Sequence, residues 1–163
     1  MTEKRSSILT GTAGAYFVAS RLALFGYHAA LTHGNAPTVD ILVGHIHGNS
    51  AVSIQVKTTI SALRTRGRHP NKVPDHYEWD VGQKSGTKKA ANLFFAFVDL
   101  KGGDESSLPD VYVVPSEVIY EAFNRPFFKD PTKRRRWRWH PKVEVVEPYR
   151  NKWSILEDAL LSQ

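Results

Sequence analysis

The clearest hydrophobic pattern in the chain is an alternation over residues 51–59. Every second residue from Val52 to Val56 is apolar and branched, and the residues between them are polar. Gln55 and Lys57 therefore share the polar face of a predicted strand. In an antiparallel sheet such a face is often simply solvated.

A second apolar segment, residues 37–43, precedes the first and carries one charged residue, Asp40. Apolar residues flank Asp40, which predicts a strand that is buried on both faces. An aspartate in that setting is costly unless a partner stabilises its charge. The neighbouring predicted strand offers Gln55 and Lys57 as partners.

The remaining periodicities predict an α/β domain with a central mixed β-sheet flanked by helices. Apolar residues recur at three- and four-residue steps from Thr12 to Phe25, which is typical of one face of a helix, with Thr10 as the predicted N-cap. Residues 93–100 form the strongest apolar run and predict a central strand. Residues 60–75 are polar and basic and predict a long loop next to the Lys57 strand. Other strands are predicted at 27–31, 77–81 and 110–114, and a closing helix at 154–161.

Composition narrows the class of partner. The 163 residues suit one domain, 1–163, and their net charge of +6 favours a polyanionic partner. The chain has no cysteine, so neither disulfides nor thiolate chemistry are available. We expect a cytoplasmic protein with no membrane association, because no apolar run could span a bilayer and the first residues lack a secretory signal.

Asp40 followed by Gln55-Val56-Lys57 resembles the signature of the PD-(D/E)XK nuclease superfamily, in its glutamine variant. The preceding helix is similar to the first helix of the small resolvase-like and homing-endonuclease-like members, with the pattern Gly11-x-x-Gly14-Ala15-x-x-Val18-Ala19-x-x-Leu22. The resemblance implies a restriction-endonuclease-like αβββαβ core. It also implies a metal-dependent endonuclease, a hydrolase that cuts DNA phosphodiester bonds.

The resemblance further implies a role for each residue of this signature. Asp40 would bind Mg²⁺ or Mn²⁺ together with the side-chain oxygen of Gln55 and the carbonyl of Val56. Lys57 would hold or activate the attacking water. The alternative is a structural Asp40–Lys57 ion pair, although a buried pair of this kind rarely improves stability. Cutting two strands needs two sites, so we expect a homo-oligomer, either a dimer or a tetramer.

One position departs from the pattern of the resembled family. Its members commonly present a glutamate from the first helix, where this chain has Ala15, and Gln55 is neutral as well. Asp40 would then carry the one full negative charge of the metal site, unless Glu78 or Asp80 on a neighbouring predicted strand replaces the missing glutamate. The alternative function is therefore a catalytically eroded nucleic-acid-binding protein on the same fold. A basic surface that contacts another protein is a third possibility.

Two basic stretches are the candidate nucleic-acid contacts. In the second, Trp137 and Trp139 alternate with arginines, so an extended chain would have an aromatic face and a cationic face that suit base stacking and phosphate contact. An edge strand with its tryptophans in the core fits the same pattern. The candidates are Arg64, Arg66, Arg68 and Lys72 in the first stretch and Lys133, Arg134, Arg135, Arg136, Trp137 and Arg138 in the second.

His45 and His47 form a His-x-His pair in the turn before the Lys57 strand. Two histidines at this spacing can bind a transition metal. No third ligand is near them in the sequence, so we expect a solvated hairpin.

Overall fold

The computed structural model describes residues 6–32, 39–130 and 136–161. Its centre is a five-stranded mixed sheet in the order β1-β2-β3-β7-β8, which confirms the predicted α/β class. β3 and β7 pair in parallel, and the other neighbours pair antiparallel. The strands are β1 Tyr27–Leu31, β2 Ile41–His45, β3 Ala51–Thr59, β7 Leu93–Asp99 and β8 Asp110–Pro115.

Both faces of this sheet are covered. Helices α1 and α6 pack on the face that carries Val52 and Ile54, and α3 and α5 pack on the face that carries Phe95 and Phe97. In the described part of the chain, no helix has the length and apolar content that a membrane span requires. The helices are α1 Ser7–Leu24, α2 Gln83–Gly86, α3 Ser116–Phe123, α4 Pro126–Lys129, α5 Val143–Val146 and α6 Ser154–Leu161.

The chain between β3 and β7 differs from the predicted loop at 60–75. It forms an antiparallel hairpin of β4 Leu63–Arg66 and β5 Val73–Tyr77, followed by the short strand β6 Trp79–Asp80. β6 pairs with β9 Arg138–Trp139. The sequence does not signal this hairpin because most of its residues are polar, so no regular apolar alternation marks it.

Helix α1 begins earlier than its apolar pattern predicts. The side chain of Ser6, rather than Thr10, caps it by accepting a hydrogen bond from the Leu9 N–H at 3.1 Å. Gly14, Val18 and Leu22 form its buried stripe. A Cβ on Gly14 would lie 1.9 Å from Thr58 Oγ1, so the glycine lets α1 lie directly against β3.

We expect Gly14→Ala to lower the free energy of unfolding by about 1–3 kcal/mol, because the added methyl group would push α1 away from Thr58. Gly11→Ala is the matched control, since a Cβ there would meet no atom within 4 Å. That substitution should leave stability unchanged or raise it by up to about 1 kcal/mol. Urea denaturation of both variants measures the difference, and equal stabilities would contradict the close packing of α1.

Candidate active site

The site forms where β3 continues beyond the start of β2. β2 begins at Ile41, opposite Ile54, and the Asp40 N–H donates to the Ile54 carbonyl at 2.9 Å. The next N–H on that side of β3 belongs to Val56 and has no β2 residue to pair with. It donates instead to Asp40 Oδ2 at 2.7 Å. The backbone of β3 therefore fixes the carboxylate of Asp40.

The strand register brings the predicted residues to one side of the sheet. Continued by one residue, the β2–β3 register places Asp40 opposite Gln55, so the two side chains leave the sheet on the same face. Lys57 lies two residues further along β3 and shares that face. β7 places Phe95 and Phe97 beside these two polar residues.

Gln55 is the unusual member of this group. It is only 7% exposed, and its Oε1 atom has no hydrogen-bond partner within the described residues. A buried carbonyl oxygen that accepts no bond costs about 1–3 kcal/mol, so its presence needs an explanation. An oxygen that is held free beside a carboxylate is a suitable ligand for a hard cation.

The ammonium group of Lys57 lies in a mixed environment. Burial lowers the pKa of Lys57 below its ordinary value, and the charges of Asp40 and Asp80 act in the opposite direction. Asp80 therefore lies close enough to affect this site. Glu78 is instead bound to Arg138 at 2.5 Å and to Arg64 at 3.5 Å. Of the two acids that could replace the missing glutamate, Asp80 is the one whose charge acts on Lys57.

The oxygen atoms around Asp40 fit a small divalent cation. Val56 turns its N–H and its carbonyl to the side of β3 on which Asp40 lies, because Ile54 two residues earlier faces that side. One carboxylate, one amide oxygen and one backbone carbonyl are the ligand types that Mg²⁺ and Mn²⁺ accept. Position 15 of α1, half-buried beside the buried stripe, is an alanine. The first helix therefore contributes no acid from this position.

The first group of predicted nucleic-acid contacts lies on the β4–β5 hairpin. Arg64 is half-buried through its ion pair with Glu78, whereas the Arg66 side chain is 80% exposed and lies 3.7 Å from Asp75. Arg68 and Lys72 are exposed in the connection between the two strands. The tip of the hairpin is therefore a basic protrusion.

The second group is divided between the protein core and its surface. Trp139 is buried, and Trp137 packs against the rings of Phe123 and Phe128 at 5.0 and 5.2 Å. Of the two arrangements considered for this stretch, the structure has the strand with its tryptophans turned inward. Arg136 and Arg138 line a cleft of about 660 Å³ between α3, α4, β9 and α5. Lys133, Arg134 and Arg135 lie outside the described residues.

The fold of this chain is also found in a solved structure. No protein-family model matches the sequence, and no curated protein matches it. Among solved structures, the chain is similar to the bacterial homing endonuclease I-Ssp6803I, with a TM-score of 0.60 and 15% sequence identity. The similarity covers 98% of this chain and 97% of that chain. It shows a shared fold, whereas membership of the PD-(D/E)XK superfamily stays a prediction.

The lowered pKa of Lys57 has a measurable consequence for stability. The unfolded chain keeps this proton up to the ordinary lysine pKa, while the folded protein releases it at lower pH. The stability of the parent should therefore rise with pH between the two pKa values. We expect Lys57→Met to melt higher than the parent at neutral pH in EDTA, and this advantage should shrink as the pH approaches 10.5.

The matched control for this measurement is Lys152→Met, because Lys152 is exposed and its replacement should change little. Thermal melts at several pH values provide the comparison. A Lys57→Met protein that melts lower than the parent at neutral pH would mean that its attraction to Asp40 and Asp80 outweighs the cost of burial.

Proposed function

We propose that this protein is a metal-dependent endonuclease that hydrolyses DNA phosphodiester bonds at Asp40, Gln55, Val56 and Lys57. The observation that carries the proposal is the buried Gln55 Oε1, which has no described partner and lies opposite the fixed carboxylate of Asp40. If the sheet had only a structural role, a hydrogen bond to that oxygen would make it more stable. A metal ligand has to be left free for its ion.

Mg²⁺ or Mn²⁺ would be held by Asp40 Oδ1 or Oδ2, Gln55 Oε1 and the Val56 carbonyl. When bound, the ion supplies positive charge that stabilises the phosphate oxygens during hydrolysis. Lys57 lies on the same face as these ligands, and its ammonium group can orient the attacking water and donate to a phosphate oxygen. Because burial lowers its pKa, Lys57 exchanges a proton more readily than an exposed lysine.

DNA as the substrate is supported by charge and shape. The net charge of +6 favours a polyanion, and Arg66, Arg68 and Lys72 project from a hairpin. A two-stranded β-ribbon of this kind fits the major groove of DNA. The solved structure with a similar fold is named a homing endonuclease. A double-strand cut would need two copies of the site, so we propose that the protein acts as a dimer or a tetramer.

The second candidate function is a nucleic-acid-binding protein whose nuclease site is eroded. Ala15 favours this alternative, because a neutral helix residue leaves only Asp40 and Asp80, among the acids considered for this site, to offset the charge of a divalent cation. The two functions share the fold and the basic hairpin, and they differ in metal affinity and in cleavage.

Plasmid nicking assays with and without Mg²⁺ or Mn²⁺ test the proposed activity. Lys57→Ala should reduce cleavage by about 10²–10⁴-fold, because it removes a group that acts on the reacting water. DNA binding should be nearly unchanged, since one lysine is a small part of the phosphate contacts. Lys152→Ala is the exposed control and should cleave like the parent. Undiminished cleavage by Lys57→Ala would remove Lys57 from the mechanism, and salt-dependent DNA binding by an inactive parent would favour the eroded alternative.

Ala15→Glu tests whether the missing acid limits metal binding. At a working metal site, the new carboxylate should add a ligand, so Mg²⁺ or Mn²⁺ should raise the melting temperature of this variant more than that of the parent. Without an ion, the half-buried carboxylate should destabilise the fold. Ala19→Glu is the matched control, because Ala19 is half-buried one turn further along α1. If the ions stabilise both glutamate variants equally, Ala15 does not face a metal site.

A further inference from the structure

A second group of potential metal ligands, which does not include Asp40, lies on the ribbon that contains β6 and β9. Trp79 pairs with Trp139 and Asp80 with Arg138. Outside β6 and β9 the same register continues, because the Tyr77 N–H donates to the Pro141 carbonyl at 2.9 Å. A further bridge joins His76 to Lys142. Residues 76–80 and 138–142 are therefore one continuous antiparallel ribbon.

This register brings two histidines and a glutamate together on one face. Glu78 falls directly opposite His140, and His76 lies two residues from Glu78 on the same side of the ribbon. The inward residues Tyr77 and Trp79 are buried in the core, so the face that carries the three points outward. One ligand atom from each of the three lies within 4.8 Å of the others.

The two histidine rings lie close together, and a neighbouring carboxylate fixes one of them. The His76 and His140 rings are nearly parallel, at an angle of 11°, with their centroids 5.6 Å apart. His76 Nδ1 lies 2.7 Å from Asp75 Oδ2. This hydrogen bond leaves Nε2 of His76 as the nitrogen that can bind an ion. A carboxylate behind a ligating histidine is the usual outer partner of a zinc ligand.

We propose that His76, Glu78 and His140 form a binding site for Zn²⁺ or a closely similar first-row transition-metal ion. Two imidazoles and one carboxylate match the three-ligand zinc sites in which water fills the remaining position. Mg²⁺ prefers oxygen ligands, so this set selects against the ion proposed for Asp40. The two sites therefore prefer different metals.

To close around an ion, the three ligand atoms have to move closer together and the Glu78 carboxylate has to leave its two arginines. Bonds of about 2.1 Å in a tetrahedron place ligand atoms roughly 3.4 Å apart. The three atoms are at most 4.8 Å apart. Side-chain rotations that move each atom by about one ångström would bring them to the spacing of a tetrahedral site. The ion has to take the Glu78 carboxylate from Arg138, which lies 2.5 Å from Oε1, and from Arg64, which lies 3.5 Å from Oε2. Binding would clamp the β5–β6 segment to β9.

Cobalt titration of the purified protein tests the site. Co²⁺ has a visible absorption spectrum that reports tetrahedral coordination, and Zn²⁺ should displace it. We expect one equivalent to bind to the parent. His140→Ala and His76→Ala should each weaken binding at least about 10-fold, and Asp75→Asn should weaken it about 10–100-fold by removing the outer hydrogen bond to His76. Two independent histidine variants guard against the misfolding of either one, and a thermal melt checks each fold.

Two further variants locate the ion. His47→Ala removes the other histidine pair, whose rings lie 6.0 Å apart in the β2–β3 turn, and should leave cobalt affinity unchanged. Asp40→Asn removes the carboxylate of the proposed nuclease site and should also leave it unchanged. Loss of binding in either variant would overturn the proposal, as would an undiminished affinity in both His76→Ala and His140→Ala. The result does not depend on whether the protein cleaves DNA.

Discussion

The unequal lengths of β2 and β3 are the constraint on which the candidate active site depends. β3 is nine residues long and β2 only five, so among the described residues the second half of β3 has no antiparallel neighbour on that side. The side chain of Asp40 takes the place of the missing strand by accepting from Val56. Thr32 fixes the bend from the other side, because its N–H donates to the Asp40 carbonyl at 3.0 Å and its Oγ1 to the Val39 carbonyl at 2.6 Å.

The two faces of β3 meet different requirements. On one face, Gly14 lets α1 lie directly against Thr58, which buries the apolar half of the strand. On the other face, aromatic residues surround the polar half. The Trp79 ring lies 5.1 Å from Phe97, and its Nε1 donates to the Val98 carbonyl at 3.1 Å, which holds β6 over the sheet. This apolar cover is the physical reason that the pKa of Lys57 is lowered.

The sequence predicts the elements that carry a local period and misses those that tertiary pairing creates. The alternation from Val52 to Val56 and the run at 93–100 correspond to β3 and β7, since burial of each strand face dictates its residue types. The β4–β5 hairpin has no such pattern, because its two strands are linked by ion pairs between polar side chains, such as Arg66 with Asp75. β6 lies within the predicted strand at 77–81, whereas β9 has only two residues and is defined by its pairing with the distant β6.

The same distinction applies to the candidate sites. Asp40, Gln55 and Lys57 could be identified because a charged residue within an apolar strand and a polar face beside it are visible in the sequence. His76 and His140 were not singled out, since only the register of the β6–β9 ribbon brings them together. The sequence also allows either Glu78 or Asp80 to replace the missing acid of the first helix. The structure distinguishes Asp80 from Glu78, whose carboxylate is bound to two arginines.

A neutral residue at position 55 is consistent with the charges around it. The charges of Asp40 and Asp80 both act to raise the pKa of one ammonium group, that of Lys57, and Arg138 lies 3.9 Å from Asp80. Gln55 is the most buried member of this group. A carboxylate there would have no cation of its own in the absence of metal, and an unpaired buried charge costs far more than an unpaired amide oxygen. The amide therefore places a metal ligand here and destabilises the metal-free fold less than a carboxylate would. The same neutral group attracts the ion less strongly than a carboxylate.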